Sequence, residues 1–144
     1  MIAGIFDSGA MPVLERLVQF TSRRQAVLAD NIANLSTPYF RPRDLDPRSF
    51  QAALREAVDR RRATATPTSG PLPLRDTDQL RFGSDRIETR PAPLNENILF
   101  HDRNNRDLER IMQDLAENTM AHNTAIEMLR NKFNLMETAI RERV

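Results

Sequence analysis

From Asn105 to Arg143 the chain reads NRDLERIMQDLAENTMAHNTAIEMLRNKFNLMETAIRER, without a proline or a glycine. Leu108, Met112, Leu115, Thr119, His122, Ile126, Leu129, Phe133, Met136 and Ile140 follow one another at alternating steps of four and three. That alternation lays one stripe along an α-helix and is the pattern of a coiled-coil seam. Asp107 and Glu109 near the start and Arg141 and Arg143 near the end both suit the helix dipole. Asn104 or Asn105 is the expected N-cap. Ile111, Ala125 and Leu135 widen the apolar stripe beyond what a single partner needs.

A second helix is predicted from Pro12 to Leu35. Leu14, Val18, Thr21, Gln25, Leu28, Ile32 and Leu35 repeat the same alternation, while Arg16, Arg23, Arg24 and Asp30 fall off it. Pro12 is tolerated in a first turn, and Ser36-Thr37-Pro38 should stop the helix, because the residue before proline is pushed out of the α region. Each stripe carries a polar step, Thr21 and Gln25 in the first and Thr119 and His122 in the second. An antiparallel pairing with Leu35 near Leu108 and Leu14 near Leu129 brings these steps level. Buried polar groups are costly unless they find partners, so the steps would then set the register. The alternative is that they face solvent or another subunit.

The middle differs in character. A short helix is predicted over Pro47–Arg61, capped by Asp46, with Phe50, Leu54 and Val58 on one face. Ala63 to Pro73 is rich in Thr, Pro and Ser and reads as linker. Leu80, Phe82 and Ile87 fit a hairpin around Gly83, with Pro91 and Pro93 breaking any continuation. Ile98, Leu99 and Phe100 form an apolar patch before the last helix. The expected organisation is a helical coiled-coil core of residues 1–36 and 105–144 and a variable middle of 37–104, with a linker around 63–78. The fold class is all-α.

Composition narrows the function. The 144 residues are 40% hydrophobic and only 6% aromatic, with no Trp, so a large isolated core is not expected. A net charge of +1 gives no general attraction to nucleic acid. Cysteine is absent, which excludes disulfides, thiolate metal sites and Cys nucleophiles. No stretch approaches the ~20 apolar residues of a membrane span, and no cleaved secretory signal is expected at the start.

No catalytic constellation stands out. His101 and His122 are far apart and lack a third ligand at helical spacing. Ser8, Ser22 and Ser36 sit in no nucleophile elbow, there is no Gly-rich phosphate loop, and the carboxylates are dispersed. Cofactors and metals are not expected. Arg60-Arg61-Arg62 reads as the solvated last turn of the middle helix, where cations are favoured. What remains is two terminal amphipathic helices on a chain that would be a marginal monomer, which points to assembly with other subunits.

The run Arg24-Gln25-Ala26-Val27-Leu28-Ala29-Asp30-Asn31-Ile32-Ala33-Asn34-Leu35-Ser36-Thr37-Pro38 resembles the N-terminal signature of bacterial flagellar rod and hook proteins, with Asn31, Asn34, Thr37 and Pro38 on its motif positions. Arg43-Asp44-Leu45-Asp46 is similar to the step that marks the FlgB type of proximal rod protein. Asn104 to Arg110 is similar to that family's entry into its last helix. Two positions depart: the family's glycine after Thr-Pro is Tyr39 here, and a second is Arg103. Glycine at the first implies a turn with positive φ, which a tyrosine resists.

The resemblance implies a structural subunit of the flagellar basal-body rod, not an enzyme. It implies export by the flagellar type III route without signal cleavage, a periplasmic position on the export-gate and MS-ring adaptor, self-association and contact with other rod subunits. Polymerisation through the terminal helices would let it transmit motor torque. The seam residues Leu14, Val18, Leu28, Ile32, Leu35, Leu108, Met112, Leu115, Ile126, Leu129, Phe133, Met136 and Ile140 are the expected assembly surface, with Asn31, Asn34, Thr37, Pro38, Arg43 and Asp44 as motif residues. Alternatives are another flagellar axial or adaptor subunit, or a free-standing helical binding module or export chaperone.

Overall fold

A computed structural model describes residues 9–66, 68–70, 72–84, 86–94 and 108–141. The Ile98-Leu99-Phe100 patch, His101, Arg103, the Asn104/Asn105 cap, Asp107 and Arg143 lie outside the described residues.

The first helix, α1, is Met11–Ala33. Pro12 occupies its first turn, and Ala10 stands at the N-cap without a side-chain acceptor. The helix ends two residues before the expected Leu35. The backbone N–H of Asn34 turns back to Asp30 O and that of Leu35 to Ile32 O, and Thr37 N donates to Asn34 O at 2.9 Å. These bonds satisfy carbonyls that a helix end leaves open.

The chain then runs through β1 (Arg43–Asp44) into α2 (Pro47–Arg62). Asp46 caps α2 as expected, accepting from Arg48 N at 2.9 Å and Ser49 N at 3.2 Å. The hairpin expected around Gly83 is present as β2 (Leu80–Phe82) against β3 (Ile87–Thr89), antiparallel with Phe82 opposite Ile87. The prolines after it do not end pairing. Ala92–Pro93 forms β4, antiparallel to β1, with Pro93 opposite Arg43 and Ala92 opposite Asp44. A proline is tolerated there because the two-residue ladder is an edge that needs no amide from it.

Phe20 of α1, Leu45, Phe50, Leu80 and Ile87 make the main core cluster. The rings of Phe20 and Phe50 stack at 4.1 Å between centroids, and Leu17, Val27, Leu54 and Phe82 pack around them. Helix α1 therefore has two buried faces, one on this small core and one on the last helix.

The last helix, α3, is Leu108–Arg141. It packs along α1, and the partners on α3 fall in number as those on α1 rise: Thr21 meets His122 and Arg24 meets Asp114. The buried residues of α3 are Ile111, Asn118 and Ala125, one heptad apart. The face turned to α1 is thus shifted by one residue from the stripe read in the sequence. Ile111 and Ala125 were read only as its apolar margin. A small Ala and a polar Asn carry no signal in a hydrophobic periodicity, yet small volume and hydrogen-bonding capacity suit a close helix contact. At ~1.5 Å per residue α1 spans about 34 Å and α3 about 51 Å, so the distal third of α3 extends past the start of α1.

Arg61 also departs from expectation. Phe50, Ala53, Ala57 and Arg61 form the buried face of α2, and Arg61 is 7% exposed rather than solvated, while Arg62 is exposed.

Candidate assembly surface

The motif residues near the end of α1 are joined by hydrogen bonds. Asn31 is buried at the last turn of α1. Its Nδ2 donates to Arg43 O at 2.6 Å, and its Oδ1 accepts from Arg43 N at 3.0 Å. One amide side chain thereby closes both polar groups of a β1 residue, as a neighbouring strand would, and leaves nothing buried unsatisfied. Asn34 Nδ2 donates to Asp30 O and Oδ1, both at 3.0 Å. Thr37 is an exposed turn residue, and its Oγ1 lies 3.5 Å from Asn34 Oδ1.

Asp44 carries the second link. Arg24 Nε and Nη2 reach Asp44 Oδ1 and Oδ2 at 3.0 and 2.7 Å, the two-pronged geometry that makes Arg–carboxylate pairs strong. Arg24 Nη2 also lies 3.4 Å from Asp114 Oδ1 on α3. The side chains of Arg24, Asp44 and Asp114 are 7%, 12% and 29% exposed. Burial works against the Arg24 charge, but the hydrogen bonds and charge of Asp44, then those of Asp114, outweigh it and raise its pKa above the ordinary arginine value. Arg24 falls off the apolar periodicity read in the sequence. Its role is visible only once β1 and α3 converge on it.

Between the helices, Thr21 Oγ1 lies 2.8 Å from His122 Nδ1, and Asn118 Nδ2 donates to Thr21 O at 2.8 Å. The Thr21 hydroxyl also reaches Leu17 O at 2.8 Å. A hydroxyl donating to Leu17 can still accept from an Nδ1–H on His122, so both residues are satisfied together. The expected levelling of Thr21 with His122 is what the structure shows. Gln25 and Thr119 lie half-buried beside them.

Of the expected seam positions, Leu14 and Leu28 are buried. Val18, Ile32, Leu35, Leu115, Ile126, Leu129 and Met136 are half-buried, and Leu108, Met112, Phe133 and Ile140 are exposed. Met112, Met120, Met128, Leu135 and Ile140 are each more than half exposed. Helix α3 therefore presents apolar side chains on a side that α1 does not cover.

After Pro38, Tyr39 has φ 60°. The backbone keeps the left-handed turn that the family's glycine implies, and the tyrosine ring is carried out into solvent at 89% exposure. It borders an open cleft of about 460 Å³ with Asp30, Phe40, Arg41 and Arg43. Among the described residues no cluster of His, Asp or Glu could hold a metal ion, and no helix is long and apolar enough to cross a membrane.

No protein-family model matches the chain. Three curated relatives match it nearly end to end, and each bears the description "Flagellar basal body rod protein FlgB". The protein of Yersinia enterocolitica is 25% identical, covering 93% of this chain and 95% of its own length. That of Bacillus subtilis strain 168 is 25% identical, covering 92% and 94%. That of Borrelia hermsii is 26% identical, covering 92% and 96%. The similarity spans the helices and the middle alike.

Proposed function

We infer that this chain is a structural subunit of the bacterial flagellar basal-body rod, of the FlgB type, and not an enzyme. The observation that carries this is the end-to-end similarity to FlgB rod proteins of distant bacteria. It agrees with the resemblance read from the Asn31 to Pro38 and Arg43 to Asp46 motifs.

The finer reading is as follows. The α1–α3 pair is the antiparallel coiled-coil unit, formed from residues 1–36 and 105–144, and 37–104 is the variable middle. Subunits join one another and other rod components through the apolar side of α3. The seam residues Met112, Phe133 and Ile140, exposed in the single chain, are part of that contact, since apolar area left in water is the driving force for association. The rod position is periplasmic, against the adaptor to the export gate and MS ring, reached by export without signal cleavage. The polymer carries torque.

A free-standing helical binding module is the second reading. It draws on the observation that α1 and α3 already satisfy Thr21, Asn118 and His122 within one chain. Far-UV circular dichroism of the full chain, dilute and under polymerising conditions, separates the two. The rod reading expects helix content to rise on assembly, and expects Ile140→Glu to abolish the rise. A dilute monomer that is already fully helical and does not associate overturns it in favour of the module.

A further inference from the structure

Two exposed surfaces of this chain are opposite in charge and lie at different places on the fold. The first is the open cleft of about 460 Å³ bounded, among the described residues, by Asp30, Tyr39, Phe40, Arg41 and Arg43. Asp30 gives its Oδ1 to the Asn34 amide at 3.0 Å, while Arg41 and Arg43 are exposed. The cleft is therefore cationic beside two aromatic residues. Its frame is fixed, because Asn31 bonds both the C=O and the N–H of Arg43. Tyr39 is 89% exposed and stands on left-handed backbone, a conformation that an L-residue takes at a cost. Strain of this kind gathers at contact sites, and Tyr and Arg are the side chains that most often dominate interface energies.

The second surface lies on α3. Glu109, Met112, Ala116, Met120, Asn123 and Glu127 follow at steps of three and four, which sets them in one stripe. All six are exposed, Met120 at 70%. Glu117, also exposed, stands one turn before Met120. From Glu109 to Glu127 the helix carries four carboxylates and one arginine, so the stripe is acidic with methionines along it. Asn118, next to Glu117, bonds Thr21 O at the middle of α1, whereas Tyr39 follows the end of α1 at Ala33. At ~1.5 Å per residue the two surfaces are about 18 Å apart along α1, and they do not meet within one chain.

We propose that the α3 stripe of one copy of this chain docks on the Tyr39 cleft of a second copy, with Met120 against Tyr39 and Phe40 and Glu117 between Arg41 and Arg43. The inference rests on the self-association proposed above and names the two patches that make it. Charge complementarity selects the occupant: a cationic cleft meets an acidic helix face, and a thioether packs well on aromatic rings. Because the two patches differ, the contact is heterologous and can repeat from copy to copy.

The test is sedimentation velocity of the full chain over a concentration series, with circular dichroism to check that each variant keeps the wild-type helix content. One variant carries Arg41→Glu with Arg43→Glu, the other Glu117→Arg. Each alone should need at least about tenfold more protein to associate, since like charges then face each other. Mixed in equal amounts they should associate as wild type does, because every cleft then finds a face of opposite charge. Arg55→Glu with Arg81→Glu makes the same change in net charge at exposed positions elsewhere and should leave association unchanged. The contact is overturned, with the rod reading left standing, if wild type associates and the reversed chains do so equally well, if their mixture fails to recover, or if the Arg55 and Arg81 control loses association to the same extent. A wild type that stays monomeric at every concentration overturns the rod reading and this contact with it.

Discussion

Consider the substitution Asp44→Asn. The carboxylate is 12% exposed and takes both prongs of Arg24, whose own side chain is 7% exposed. Asparagine keeps the volume and one acceptor, so Leu45 N, now 2.7 Å from Oδ1, can still be satisfied. What is lost is the charge and one of the two bonds to Arg24. Breaking a buried pair from one side typically costs about 3–5 kcal/mol, because the remaining charge is stranded. Asp114 remains at 3.4 Å but is 29% exposed, so its compensation is partly screened. The expected loss is therefore about 2–3 kcal/mol, a large share of the ~5–15 kcal/mol that holds a small domain. The assay is the folding midpoint by far-UV circular dichroism on a urea to trimethylamine N-oxide axis, for wild type, Asp44→Asn, Arg24→Met and the double variant. The cycle should return a coupling of about 2 kcal/mol, little changed by salt because the pair is buried. A coupling below about 0.5 kcal/mol would sink the idea that this ion pair joins α1 to the middle region.

Two further outcomes are expected. Tyr39→Gly should raise stability by up to about 1 kcal/mol. The left-handed backbone costs an L-residue about 1–2 kcal/mol, and glycine's greater freedom in the unfolded chain offsets part of that gain; a destabilised variant, by the same midpoint, contradicts the strained turn. Asp46→Ala should cost about 1 kcal/mol as a lost N-cap. The Ser49 hydroxyl holds the Asp46 carboxyl below its ordinary 3.8; burial, the next effect, opposes it, and the Arg48 and Ser49 amides and the Arg48 charge then add to the lowering. A depressed carboxyl contributes stability that is present above the unfolded pKa and lost as pH falls through the folded one. The difference between wild type and Asp46→Ala should accordingly be constant from neutral pH down to about pH 4 and vanish below it. A difference that persists at lower pH counts against the cap.

The motif read in the sequence and the geometry meet at particular residues. Asn31 fills the place of a strand partner for Arg43, and Asp44 clamps Arg24. The motif is thus a device for closing the end of α1 onto the start of the middle region, and its spacing follows from the turn between them. Tyr39 adopts at φ 60° the left-handed turn that glycine takes without strain, and the cost falls on one exposed residue.

Local chemistry was legible in the sequence wherever a few neighbouring residues decide the outcome. The three helices, the Asp46 cap and the Gly83 hairpin all follow from periodicity, capping and turn rules, whereas the levelling of Thr21 with His122 was one of two pairings left open. The family resemblance was equally local, since it rests on contiguous motifs. Tertiary structure alone decided which side of α3 meets α1, that Ala92–Pro93 pairs with β1, and that Arg24 and Arg61 are inside. Those outcomes depend on groups far apart in the chain. Asn118 and Ala125 face α1 because a polar group found a carbonyl and a small side chain allowed close approach, and a hydrophobicity pattern records neither. Arg24 goes inside because distant residues supply its partners, Asp44 and Asp114, and no local window along the chain contains that information.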